Sequence, residues 1–241
     1  MTRAAGPIGT LRESPLHAAL KARYAQPDDE VEARVQGYWI DLRRPGPAGH
    51  DLLIEVQTGN FGALKAKLAA LRDHYRIHIV HPIPAEKWLV MLDGNGRITS
   101  RRRSPRKGRF EGIFEELVNL TGLFSGDAVT LEVVLTREEE IRQARAPRKR
   151  RWAKAYRSVE RRLLDVLDWQ VFESPADLLA LLPAGLPQPF TNRELADAWH
   201  APLRLAQRTT YTLCAMGALV RHGRQGRAWC FGHPDAHEGG R

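Results

Sequence analysis

Cysteine is nearly absent from this chain: two residues in 241, Cys214 and Cys230. Two thiols make neither a disulfide framework nor a zinc cluster. Long apolar runs are missing too, so no segment has the twenty or so apolar residues that would cross a bilayer as a helix. The N-terminus, Met1-Thr2-Arg3-Ala4-Ala5-Gly6-Pro7, has no apolar core of a signal peptide. Cytoplasmic residence, with no membrane partner, is the expectation. Acidic residues fall short of basic ones, 28 against 37, for a formal charge of +9. That excess points to polyanions as partners, with nucleic acid foremost. No phosphate-binding glycine loop or Ser-His-Asp set is evident.

What the chain does have is an ordered set of acids at the ends of apolar runs. Asp41 follows Tyr38-Trp39-Ile40, and Glu55-Val56-Gln57 follows Leu52-Leu53-Ile54. Strand side chains alternate, so Glu55 and Gln57 should share a face. A hairpin closed by Pro45-Gly46-Pro47-Ala48-Gly49 would set Asp41 opposite Glu55. Two adjacent carboxylates repel one another and are costly to desolvate, a cost that a hard divalent cation removes. Upstream, Thr10 to Tyr24 reads as a helix, with Thr10 as N-cap and Glu13 at the capping-box position. His17, one turn after Glu13, reads more readily as a packed surface residue than as part of a site.

The remaining periodicities give a long strand over Val31–Arg43 bent at Gly37, and a helix from Leu64 to about His74. Short strands follow at Arg76–His81 and Trp88–Leu92. A basic loop over 97–109 carries Arg101, Arg102, Arg103, Arg106 and Lys107. After it come a short helix over Phe110–Leu120 and a strand over Val129–Leu135. His78 and His81 fall on opposite faces, which argues against a shared metal. Asp51 reads as a turn cap. The basic cluster Arg148-Lys149-Arg150-Arg151 suggests a linker over 146–152. Trp152 to Leu167 then shows helical spacing, Ala176–Leu182 a second helix, and Thr191 with Glu194 a capping box. A further helix, Leu203–Met216, and a hairpin with an arginine-bearing tip end the pattern.

Helix, strand acid, hairpin, acid-x-polar and a following helix with Lys65 and Lys67 resemble the PD-(D/E)XK nuclease-like core. The resemblance covers about Gly9 to Val90. It implies a restriction-endonuclease-like mixed sheet flanked by helices, over 1–145. Asp41 and Glu55 would hold Mg²⁺, for which Mn²⁺ can substitute, aided by the Val56 carbonyl. Glu13 would hold a second cation or orient a metal-bound water, the three carboxylates converging within reach of one cation. Gln57 stands where the family usually has lysine, so the catalytic set implied is Glu13, Asp41, Glu55 and Gln57. Residues 153–235 resemble a mainly α winged-helix domain, with a flexible tail over 236–241. There Arg204, Gln207, Arg208 and Tyr211 on the second helix, and Arg221, Arg224 and Arg227 on the wing, would contact DNA. The implied activity is Mg²⁺-dependent endonucleolytic hydrolysis of DNA. An inactive DNA-binding regulator and an RNA-processing nuclease are the alternatives. Cutting both strands would call for a homodimer, although no dimer interface stands out.

Overall fold

The computed structural model describes residues 13–124, 128–144 and 156–234. Its frame is a mixed sheet of seven strands flanked by helices. In it β1 (Glu30–Val35), β2 (Tyr38–Arg44), β3 (Leu52–Val56), β4 (Arg76–Leu92), β6 (Val129–Ala144) and β7 (Tyr156–Phe172) lie side by side in that order. The remaining strand, β5 (Ile98–Arg103), pairs only with the far half of β4. The β1–β2 turn is made by Gln36 and Gly37, with φ of 47° and 88°. Two successive positive φ values reverse a chain tightly, so the bend expected at Gly37 is a complete hairpin.

Three sequence expectations are corrected here. The helix α1 spans Pro15–Tyr24, and its N-cap is Ser14, whose side chain accepts from the His17 N–H. Thr10 lies outside the described residues, and Glu13 stands just ahead of the cap instead of inside the first turn. Second, Arg101, Arg102 and Arg103 belong to β5, not to a loop. Third, residues 156–172, expected to be helical and to open the C-terminal domain, form β7, antiparallel to β6 from Leu131↔Phe172 to Ala144↔Tyr156. The linker expected over 146–152 and the tail over 236–241 lie outside the described residues. β7 crosses that expected boundary and completes the first sheet.

Helix α1 covers one face of the sheet, setting fully buried Leu16 and Leu20 against Leu42, Ile54, Val56, Val80 and Val134. Each leucine so buried contributes about 2 kcal/mol. On the opposite face, Leu53, Ile77, Ile79, Leu131 and Val133 meet Phe61, Leu64, Leu68 and Leu71 from a 3₁₀ turn and helix α2 (Lys65–Leu71). Phe114 and Leu117 of helix α3 (Phe114–Leu117) complete that layer.

Beyond Phe172 the chain forms a 3₁₀ turn (Asp177–Leu181), β8 (Phe190–Thr191), α4 (Asn192–Trp199), α5 (Leu203–Ala215), β9 (Val220–Gln225) and β10 (Ala228–Gly232). The expected capping box of Thr191 and Glu194 is present at α4. The three strands make a small sheet in the order β8-β10-β9. With three strands beside two helices, and β7 in the larger sheet, "mainly α" does not describe the C-terminal part. Leu195, Ala206, Leu213 and Phe231 share one core with the large sheet's apolar face. No helix of the described residues is long and apolar enough to cross a membrane.

Candidate functional site

The geometry at Asp41 follows from how β2 leaves β3. Ladder pairing runs from Arg44↔Leu52 to Leu42↔Ile54 and ends there. At the next step the Val56 N–H donates to the Asp41 carboxylate, Val56 N to Asp41 Oδ2 being 2.8 Å. A side-chain oxygen thus stands in for the backbone acceptor, and the two strands splay. This puts Asp41 beside Glu55, as the sequence pattern predicts.

Glu55 is 9% exposed. Burial, reinforced by the Asp41 charge, pushes its pKa up to about 7, against the pull of Lys67. Lys67 Nζ donates to Glu55 Oε1 at 2.6 Å and to the Trp39 carbonyl at 2.7 Å. The other carboxylate oxygen, Glu55 Oε2, is buried with no hydrogen-bond partner among the described residues.

Helix α1 delivers the opposite wall. His17 Nε2 lies 3.0 Å from Asp41 Oδ2, and its Nδ1 3.1 Å from Glu13 Oε1. Burial pulls the His17 pKa down, but the hydrogen bond to Asp41 and the fields of Asp41 and Glu13 outweigh it and leave the pKa raised. Lys21 bridges Glu13 at 2.8 Å and Glu32 at 3.0 Å. The result is a chain of alternating charge, Glu32–Lys21–Glu13–His17–Asp41, set beside the pair Glu55–Lys67.

Three expectations change accordingly. Glu13 does not meet Asp41 directly, because His17 separates them. Among the described residues no three acidic, histidine or cysteine side chains converge as a metal-binding group. The expected three-acid cluster therefore reduces to Asp41 and Glu55. Gln57 does not stand alongside them: its Nε2 donates to the carbonyls of Gly59 and Asn60, closing the turn after β3. Its own carbonyl faces His81 Nδ1 at 2.6 Å, and burial lowers the pKa of that histidine. Lys67 instead supplies the positive charge at the acids. It had a signal in the sequence: it lies three residues after Leu64 and four before Leu71, on the buried face of α2, whereas Lys65 points outward. His17 had a weaker one, its spacing of four from Glu13. Asp51 serves as a turn cap, as expected, accepting from the Gly46 N–H and pairing with Arg43 at 2.7 Å. His78 bonds Glu132 and Thr130, away from His81.

The basic residues divide. On α5, Arg204, Gln207 and Tyr211 are exposed along one stripe. Arg208 turns inward, bonding the carbonyl and carboxylate of Glu115 on α3, and so leaves the expected DNA-facing set. On the hairpin, Arg221 and Arg224 sit 5.1 Å and 4.2 Å from the Trp229 ring centre, and Arg227 is at the tip. Arg101 is held by Glu139 and lies over Trp88, Arg103 is held by Glu86, and Arg102, Arg106 and Lys107 are exposed.

A family model described as "Domain of unknown function (DUF8091)" matches residues 14–173. That span starts at the α1 N-cap and ends one residue after β7, so it coincides with the large sheet and its helices. An uncharacterised protein of Treponema pallidum (strain Nichols) is similar, 30% identical over 190 residues, covering 79% of this chain and 74% of the relative. No solved structure matches the chain. With the match extending over the whole sheet unit, the chain belongs to the DUF8091 family.

Proposed function

We propose that the chain is a metal-dependent nuclease of the PD-(D/E)XK type acting on DNA, with residues 174–234 serving as a winged-helix DNA-binding unit. The observation that carries this reading is the pair Asp41–Glu55 at the splayed end of β2 and β3, with the Lys67 ammonium on Glu55. A protein gains nothing in stability from a half-satisfied buried carboxylate. A lone buried oxygen such as Glu55 Oε2 suits a hard cation that takes oxygen ligands.

Asp41, Glu55 and the Val56 carbonyl would hold Mg²⁺, or Mn²⁺ in its place. The cation would supply Lewis-acid activation of water and charge neutralisation at the scissile phosphate. His17 holds Asp41 from the helix side, and the Val56 N–H holds it from the strand side, so the carboxylate is fixed before substrate arrives. Lys67, bonded to Glu55, would supply there the positive charge that a lysine at position 57 would otherwise bring to the developing charge on the phosphate. The exposed stripe of Arg204, Gln207 and Tyr211, with the arginine-bearing hairpin, suits groove and backbone contacts.

The test is incubation of the purified protein with plasmid and linear DNA plus Mg²⁺ or Mn²⁺, beside Asp41→Ala and Glu55→Ala. Cleavage by the wild type alone supports the reading. Cleavage that persists in both variants sinks the site. A wild type that shifts DNA in a gel but never cuts it makes the chain a binding protein. Preference for structured RNA over duplex DNA across a salt series reassigns the substrate.

A further inference from the structure

A concavity of about 620 Å³ lies away from the acids, where the far half of β4, the β6–β7 pair and the segment after β5 meet. Its lining brings five basic side chains, Lys87, Arg106, Lys107, Arg142 and Arg157, around a single carboxylate, Glu140. Glu140 is already committed, to Arg142 at 2.8 Å and to Lys87 at 3.4 Å. Among the described residues Arg157 bonds the neutral Gln143 side chain, and Arg106 and Lys107 make no ion pair. The positive excess is therefore real at this spot, and concave walls focus it.

The wall is also built in advance of any ligand. Segment 104–108 is pinned to β4 by Ser104 N–H to the Lys87 carbonyl at 2.7 Å and Gly108 N–H to the Pro84 carbonyl at 2.9 Å. Gly108 lies so close to β4 that a Cβ there would fall 2.4 Å from Ile83 Cγ2 and 2.7 Å from the Pro84 oxygen. Tyr156 adds an aromatic wall, with the Arg142 guanidinium 4.1 Å from its ring centre.

We infer that this pocket binds the terminal phosphate of a nucleic-acid strand. A phosphomonoester carries nearly two charges and three acceptor oxygens, which several converging cations can hold at once. An internal phosphodiester offers one charge and calls for an open groove. Strand β4 links the pocket to the acids: Glu55 on the neighbouring β3 registers with Ile79 of β4, and the pocket begins at Pro84 and reaches Lys87. At about 3.3 Å per residue these lie about 17–26 Å further along the strand. That span equals about five to eight nucleotides of one duplex strand. An anchored end would thus place the cut at a fixed, short distance. The distance rule rests on the nuclease reading, whereas the pocket itself does not.

The experiment measures binding by fluorescence anisotropy, with EDTA present, for short duplexes ending in 5′-phosphate, 3′-phosphate or hydroxyl. One phosphorylated end should bind at least about tenfold tighter than the hydroxyl end, the worth of one charge-assisted hydrogen bond. Arg106→Glu with Lys107→Glu should erase the difference, and Arg157→Ala, a milder change, should reduce it. Equal affinity for all three ends overturns the inference, as does a preference that survives charge reversal in protein that melts like the wild type. If phosphorylated ends are preferred but no Mg²⁺-dependent cleavage occurs, the pocket stands and the nuclease reading fails. If cleavage occurs with no preference among ends, the nuclease reading stands and the pocket fails.

Discussion

Replacing Glu55 by glutamine should raise stability and abolish cleavage at the same time. An ordinary glutamate titrates near 4.5, and this one is held at about 7 by burial and by Asp41, even after the attraction of Lys67 is included. Between those two values the folded protein holds a proton that the unfolded chain has released, so stability falls as pH rises across the window. Above pH 7 the cost is complete and amounts to about 3 kcal/mol. Glu55→Gln keeps the shape and one Lys67 contact but cannot ionise. At about pH 8 it should therefore outlast the wild type by up to about 3 kcal/mol, and near pH 4.5 the two should converge. For a chain of this size the gain corresponds to about 2–4 °C in Tm per kcal/mol. Urea or thermal unfolding at the two pH values measures it. A variant less stable than wild type at pH 8, or one offset by the same amount at both pH values, would refute the reasoning. Adding Mg²⁺ should then stabilise the wild type and leave the variant unmoved, because only the wild type gains a bound ion.

Lys67→Met should remove cleavage without loss of DNA affinity, while Gln57→Ala should retain most of the activity, since its amide only closes the Gly59–Asn60 turn. Initial rates on plasmid DNA for the two variants check this, and the opposite ranking would count against the assignment of Lys67. Arg208→Ala should weaken the packing of α5 on α3 by about 1–3 kcal/mol while leaving the salt dependence of DNA binding unchanged. Denaturant melts and anisotropy titrations across a salt series read the two effects separately. Gly108→Ala should destabilise by about 1–3 kcal/mol through the clash with Ile83 and Pro84, as a shift in urea midpoint.

The acids were legible because a β-strand repeat is rigid. The position of Asp41 opposite Glu55 follows from hairpin length and alternation alone. Alternation does not reach Gln57, because β3 ends at Val56, one residue earlier. The helical spacing of residues 156–167, which in fact belong to β7, has a specific cause. Relative to β6, the strand carries an extra residue at Val159, Leu164 and Leu167, where the register shifts. Each bulge offsets the alternation by one, so apolar residues recur at three or four positions instead of two. Tyr156, Val159, Leu163, Val166 and Leu167 thereby imitate a helical stripe. Local spacing places Arg208 on the outer stripe, because its inward partner, Glu115, comes from α3, nearly a hundred residues away.

The parallel pairing of β4 with β6 has a consequence for how the chain comes to be folded. Every register pair along it joins residues 51 or 52 positions apart, and the strand that closes the sheet, β7, ends only at Phe172. Such contacts become favourable only after long loops have closed, so folding should be slow. On the ribosome, β2 and β3, which carry Asp41 and Glu55, would emerge well before β6 and β7, which complete the sheet. A chain stopped near residue 145 would leave β6 as an unpaired edge, with its apolar half, Val129–Leu135, prone to aggregate. The N-terminal unit, on this view, is complete only when its last strand, β7, has been made.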